Sequence, residues 1–259
     1  MSDEPSPDGD PAGLLTLLWG RRRVATRGPK AALHLDHLVA AGIGICDELG
    51  LDAVSMHAVA ERVGYSKMSL YRHVASKDEL LAVMTDAAIG APPDIRAVRG
   101  GWRRRIEAYA DALWQTWQQH PWLPAATVGA RVMGPNEVAW VDQALGAFDG
   151  TDLDGDERID AVLLVSALVR TTHSLATSGT FPWTDRRQLS PLMTTIVREH
   201  PDRFAAILQA VDSASSRPVE GVGDGLGLTC ILDGLEKRIS RRRRRARGAG
   251  PVDEHTTPS

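Results

Sequence analysis

The stretch Ser55–Lys77, SMHAVAERVGYSKMSLYRHVASK, constrains this chain more than any other part of it. Two short helical runs flank a single glycine, Gly64. Ser55 is placed to cap the first run, and Val59, Ala60 and Val63 give that run an apolar face. Gly64 ends it, because glycine alone takes a left-handed backbone cheaply. Ser66 is placed to cap the second run, which reaches His73 with Leu70 and Val74 pointing inward at a spacing of four. Lys67, Ser69, Tyr71, Arg72 and His73 are left for the other faces. A helix of this size, with hydrogen-bond donors near its N-terminus, fits a DNA major groove. The pattern predicts a helix-turn-helix.

Charge segregation supports that reading. The net charge of −3 over 259 residues hides −4 in residues 1–20, +2 in 21–80, −7 in 81–236 and +6 in 237–259. Residues 55–77 hold four bases, one acid and two histidines. An acidic body beside a basic helical pair suggests a phosphate-bearing partner at one end only. The two cysteines, Cys46 and Cys230, have no zinc-ligand spacing and are expected as buried, reduced thiols in a cytoplasmic protein. LLTLLW at 14–19 is too short for a signal core, and the apolar run near Ala161–Val169 is too short to span a bilayer, so no membrane partner is expected.

Strand-like alternation is scarce, which makes the expected class all-α: a three-helix helix-turn-helix domain and a larger helical domain. Residues 1–30 read as a disordered segment ending in a basic arm, 21–30. Residues 31–90 read as the DNA-binding domain. Its first helix ends at Gly50, and the S-x-x-E box Ser76–Glu79 opens a fourth helix that stops near Ile89. A Pro/Gly-rich junction at 90–101 leads into the second domain, 91–240, with helices over 102–119, 135–148, 156–178 and 224–240 and two shorter ones within 189–208. The tail 241–259, an arginine run followed by Gly, Pro and Thr, reads as disordered.

The last helix has an apolar stripe of Leu228, Ile231, Leu232, Leu235 and Ile239, and a second stripe of the small residues Gly227, Cys230 and Gly234. Small side chains let another helix come close. The helices at 156–178 and 224–240, with Ile159, Leu163, Gly227, Ile231, Gly234 and Leu235, are expected to form a four-helix dimer interface. Six of seven tryptophans fall between 102 and 183. Trp114, Trp117, Trp122, Trp140 and Trp183, with Met133, His173 and Phe181, either line a ligand cavity or form ordinary helical core.

The segment 38–81 resembles the tetracycline-repressor family of bacterial regulators. It carries, in order, G-L-x-A-V-S, then V-G-x-S-x-x-S-L-Y-R-H-V, then K-D-E-L-L. QQHPWLPAA at 118–126 and LTCILDGLEKRI at 228–239 are similar to the ligand domain and final dimer helix of the tetracycline repressor itself. The resemblance implies a homodimer that places one helix-turn-helix on each half of a palindromic operator in double-stranded DNA, and a small-molecule effector of unknown identity that releases it. Lys67, Met68, Ser69, Tyr71, Arg72 and His73 match the family's recognition helix, and Lys77 suits a phosphate. Met56 and His57 stand where the family often places a hydroxyl residue and an arginine. A neutral imidazole bonds a base or phosphate less strongly than a guanidinium, so the family's operator preference does not carry over at that position. His120 stands where tetracycline-binding relatives place a metal-meeting histidine. No acidic partner follows it, so it reads as a satisfied or helix-ending histidine, and no metal or other cofactor is expected.

The helix-turn-helix reading together with the resemblance implies a ligand-responsive transcriptional repressor. The alternative is a sequence-independent DNA-binding protein that relies on the arginine tail. An enzyme is not expected, since no G-x-S-x-G elbow, phosphate loop or metal triad is present.

Overall fold

The computed structural model describes residues 11–20, 34–178, 183–184, 188–214, 218 and 220–248. Among these are α1 (Pro11–Gly20), α2 (Leu35–Leu49), α3 (Met56–Val63), α4 (Lys67–Leu70), α5 (Lys77–Ile89) and α6 (Gly101–Gln119). There follow α7 (Leu123–Ala126), α8 (Pro135–Gly146), α9 (Gly155–Ser178), α10 (Pro191–Glu199), α11 (Ala205–Ser213) and α12 (Leu226–Gly248). The only extended pairing among the described residues is an isolated bridge between Trp183 and Leu189. The protein is all-α, as expected.

The chain packs as two units, Met1–Pro93 with Ala112–Gln143, and Asp94–Asp111 with Ala144–Ser259. In the first, α2 packs on α3 and α5, and α3 on α4. Leu38, Val54, Val59, Leu70, Leu80 and Met84 are fully buried there. A Cβ on Gly42 of α2 would meet the Met84 sulfur at 2.5 Å, so the absence of a side chain lets the two helices approach closely.

Three groups of polar contacts tie these helices to the later part of the same unit. Asp86 of α5 accepts from the Asn136 and Glu137 amides at 2.8 and 3.2 Å, capping the start of α8. The Trp140 indole donates to the Gly90 carbonyl at 3.0 Å. Asp47 of α2 accepts from the Trp122 indole at 2.7 Å and pairs with His120 Nδ1 at 2.9 Å.

In the second unit α12 packs along α9, and Leu228, Leu232 and Ile239 of α12 and Val162, Val165 and Val169 of α9 are buried. A Cβ at Gly227 would lie 2.7 Å from Leu168 Cδ1, so this glycine serves close packing within the chain. The first turn of α9 is held by a reciprocal cap. The Glu157 amide donates to Asp154 Oδ1 at 3.0 Å, and the Asp154 amide donates to Glu157 Oε2 at 3.1 Å.

Both terminal expectations need correction. Residues 11–20 form a helix because Leu18 is buried, α1 packs on α5, and the Trp19 indole donates to the Met133 carbonyl at 3.3 Å. The arginine run continues α12 to Gly248, because acids at the start of α9 meet it. The basic arm 21–30 lies outside the described residues. The bilayer argument is also corrected. By length and composition alone, Gly155–Thr177 of α9 would suffice for a membrane span, with mean hydropathy 1.3 over its most apolar window. The uninterrupted run 161–169 understated it, because the residues that follow it, 170–177, are mostly neutral.

Candidate nucleic-acid interface

Local capping builds the helix-turn-helix. Ser55 Oγ accepts from the Ala58 amide at 3.1 Å and starts α3. Gly64, at φ 73° and ψ 29°, turns the chain out of α3. The Tyr65 amide donates back to the Ala60 carbonyl at 2.9 Å, and the Gly64 amide to Glu61, which together form a Schellman stop. Ser66 stands at the start of α4, but its hydroxyl meets Ser69 Oγ at 3.0 Å instead of capping the backbone. The α-helix proper is one turn, Lys67–Leu70. The chain stays coiled to Val74 through bonds from the His73 and Val74 amides to the Leu70 carbonyl. Leu70 and Val74 are both buried, as their spacing required. Ser76 Oγ accepts from the Glu79 amide at 3.1 Å, and Glu79 reaches back to the Ala75 amide at 2.6 Å.

This framework leaves Lys67, Met68, Tyr71, Arg72 and Lys77 exposed, with Ser69 and His73 half-buried. Met68 is 74% exposed and Tyr71 41%. The Lys67 ammonium lies 5.8 Å from the Tyr71 ring centroid, so a cation and an aromatic face are presented together. Arg62 is withdrawn from this set. It forms a two-point ion pair with Glu48 of α2, one contact at 2.7 Å, and its hydrogen bond holds the Glu48 carboxyl below its usual range. His57 is exposed on α3, with Nε2 at 4.0 Å from Glu61. Met56 is only 6% exposed and packs in the core, so its side chain is not part of a DNA-facing surface. The reason is local: Ser55 at the cap turns the next side chain inward, under α3.

The residues expected around a ligand fall in two different units. Trp114, Trp117, Trp122 and Trp140 are buried in the first unit, where Met133 is exposed and His120 half-buried. His173 is buried in α9 of the second unit at 1% exposure, and Phe181 lies outside the described residues. Trp122, Trp140 and His120 are engaged by Asp47 and Gly90 as described above. His120 ends α6 with a satisfied ring nitrogen. Of the residues expected at a dimer interface, Ile159, Leu163 and Gly234 are exposed, and Ile231 and Leu235 are half-buried. Cys46 is buried and its thiol is pushed up to about 11, chiefly by that burial. Cys230 is exposed, contrary to expectation, because it lies on the face of α12 turned away from α9.

Residues 38–84 match the family described as bacterial regulatory proteins, tetR family, and residues 96–239 match the tetracyclin repressor-like C-terminal domain. The chain belongs to the TetR family of bacterial regulatory proteins. It is 32% identical over 251 residues to the HTH-type transcriptional repressor DrrR1 of Streptomyces coeruleorubidus, covering 93% of this chain and 92% of that one. Apo ActR from Streptomyces coelicolor has the same fold, at TM-score 0.68 and 21% identity over 82% of this chain and 99% of ActR. The complex of ActR with actinorhodin superposes at TM-score 0.64 and 22% identity, over 81% of this chain and 99% of that one. This TetR-family chain is therefore a helix-turn-helix transcriptional regulator of a repressor lineage. Sequence reasoning missed Asp47 and Asp86 as the acids that fasten α2 and α5 to α6–α8. No local signal marks them, since their partners lie 50 or more residues away.

Proposed function

We propose that this protein is a ligand-responsive repressor that binds a palindromic operator as a homodimer. The observation that carries the DNA contact is the exposed set Lys67, Tyr71, Arg72 and Lys77 around α4, with the half-buried Ser69 among them, held by the buried Leu70 and Val74. Arg72 is suited to a bidentate base or phosphate contact, and Lys77, at the start of α5, to a phosphate. His57 and His73 flank this surface. Dimerisation is supported by the outward face of α9, where Ile159, Leu163 and Leu164 are each at least half exposed. A contiguous apolar patch of this kind is normally covered. The α12 face bearing Cys230 and Gly234, with Ile231 and Leu235 at its margin, extends it. With this cover α9 is an interface helix of a soluble cytoplasmic protein.

An effector response is supported by membership of a family in which ActR has been seen with actinorhodin bound. We propose that the effector is taken among Trp114, Trp117, Trp122 and Trp140 of the first unit, with Met133 as the exposed member of the group. The sequence-independent alternative is disfavoured because two of the tail's arginines, Arg242 and Arg243, are paired with acids of the same chain, as is Arg238 just before the tail.

The test is genomic selection with purified protein at near-physiological salt. A short palindrome that is enriched by wild type and lost with Arg72→Ala supports the proposal. Uniform retention that survives Arg72→Ala but disappears on removing 241–259 would sink it.

A further inference from the structure

The arginine run of α12 has two faces with different fates. Arg238 and Arg242 both reach Glu157, Arg242 also pairs with Asp154, and Arg243 meets Asp152 at 3.2 Å. These contacts hold the end of the helix against the acidic start of α9. Lys237, Arg241, Arg244 and Arg245 are exposed, and no ion pair to them is found among the described residues. At 3.6 residues per turn these four fall on one arc of roughly 100°, with successive turns about 6 Å apart along the helix. The arc continues the Cys230 and Gly234 face, so the row is the stretch of that face that runs on past the proposed dimer contact, with Arg241, Arg244 and Arg245 furthest along it. A cationic row fixed on a helix is a different object from a solvated tail. Its shape no longer has to be ordered on binding, so more of each contact's free energy is retained.

We infer that this row is a second DNA-binding surface, one that takes the phosphate backbone of duplex DNA without reading bases. Duplex DNA carries a charge about every 3.4 Å per strand, dense enough for each cation of the row to find a phosphate. Guanidinium groups match phosphate geometry particularly well. The acids at 152–157 set the limit of the surface. They neutralise the adjacent arginines and leave a row of defined size, which keeps backbone binding from swamping operator choice. The inference rests on the operator-binding reading but acts through residues outside the helix-turn-helix.

The experiment measures affinity against salt for wild type, for R241Q/R244Q/R245Q and for R241K/R244K/R245K. The duplexes are a selected operator and a scrambled sequence of equal length. Glutamine keeps helix propensity, so the variant tests charge and not folding. Each lost phosphate contact flattens the slope of log K against log salt by about 0.9. The expected result is a slope shallower by about 2–3 per subunit in the Gln variant, recovery in the Lys variant, and an unchanged operator-to-scrambled ratio. Equal slopes in wild type and the Gln variant would overturn the inference. So would loss of the operator-to-scrambled ratio in the Gln variant, or preferential retention of single-stranded RNA by wild type. Failure of the operator-binding reading shows separately, as a ratio near one in wild type that Arg72→Ala does not change.

Discussion

Met56 and His57 are adjacent in the chain and have opposite surroundings. The thioether of Met56 is packed beneath α3, while the His57 imidazole stands in solvent. Met56→Ala should cost about 2–5 kcal/mol in chemical unfolding, the usual range for emptying a core site. The folded fraction should keep its preference for operator over scrambled DNA. His57→Ala should leave unfolding within about 0.5 kcal/mol of wild type and change which sequences are selected. Thermodynamic and selection readouts thus separate two residues that the sequence pattern groups together. Cysteine chemistry divides in the same way. The Cys46 thiol, raised to about 11, stays protonated well above neutral pH, whereas Cys230 is accessible. Since the thiolate is the nucleophile, iodoacetamide at about pH 8 should label Cys230 and spare Cys46 in the folded protein. Equal labelling of both in mass spectrometry would contradict the buried position of Cys46.

Helix ends carry much of the architecture, and they differ in how far their partners lie along the chain. The starts of α3 and α5 were legible because Ser55 and Ser76 cap amides three residues on, and the stop at Gly64 because one residue must take a positive φ. The inward pair Leu70 and Val74 was legible from its spacing. The start of α8 was not, because its cap is Asp86, on α5. Any acid on any helix would serve that purpose, so sequence alone does not select one. The same holds for Asp47, and for the acids near residue 154 that make the arginine run helical. Asp86→Ala removes an acceptor of two amides and should lower stability by about 1–2 kcal/mol, measured by thermal unfolding. Asp86→Asn keeps a carbonyl oxygen for those amides and should lose less. Gly134 is bound to the same contact, since a Cβ there would lie 2.2 Å from the Asp86 carboxyl carbon.

At the scale of the whole molecule, the proposed dimer rests on the apolar outer faces of α9 and α12. Gly234 has open space around it within its own chain, so a larger side chain there meets no internal obstacle. Gly234→Glu should therefore leave the protomer folded by circular dichroism. Sedimentation should show monomers, and operator affinity should fall because two half-sites are no longer gripped together. A Gly234→Glu protein that remains dimeric would move the interface elsewhere. The docked arginine helix bears on where this protein ends as a folding unit. The last hydrophobic anchor of α12 is Ile239, and a chain cut just after it would retain Asp152, Asp154 and Glu157 while discarding Arg242 and Arg243. Such a truncation would leave a cluster of like charges at the mouth of the domain's longest helix. The shortest self-consistent version of this protein extends through its arginines, and a protease that trims them removes a structural part along with the charge.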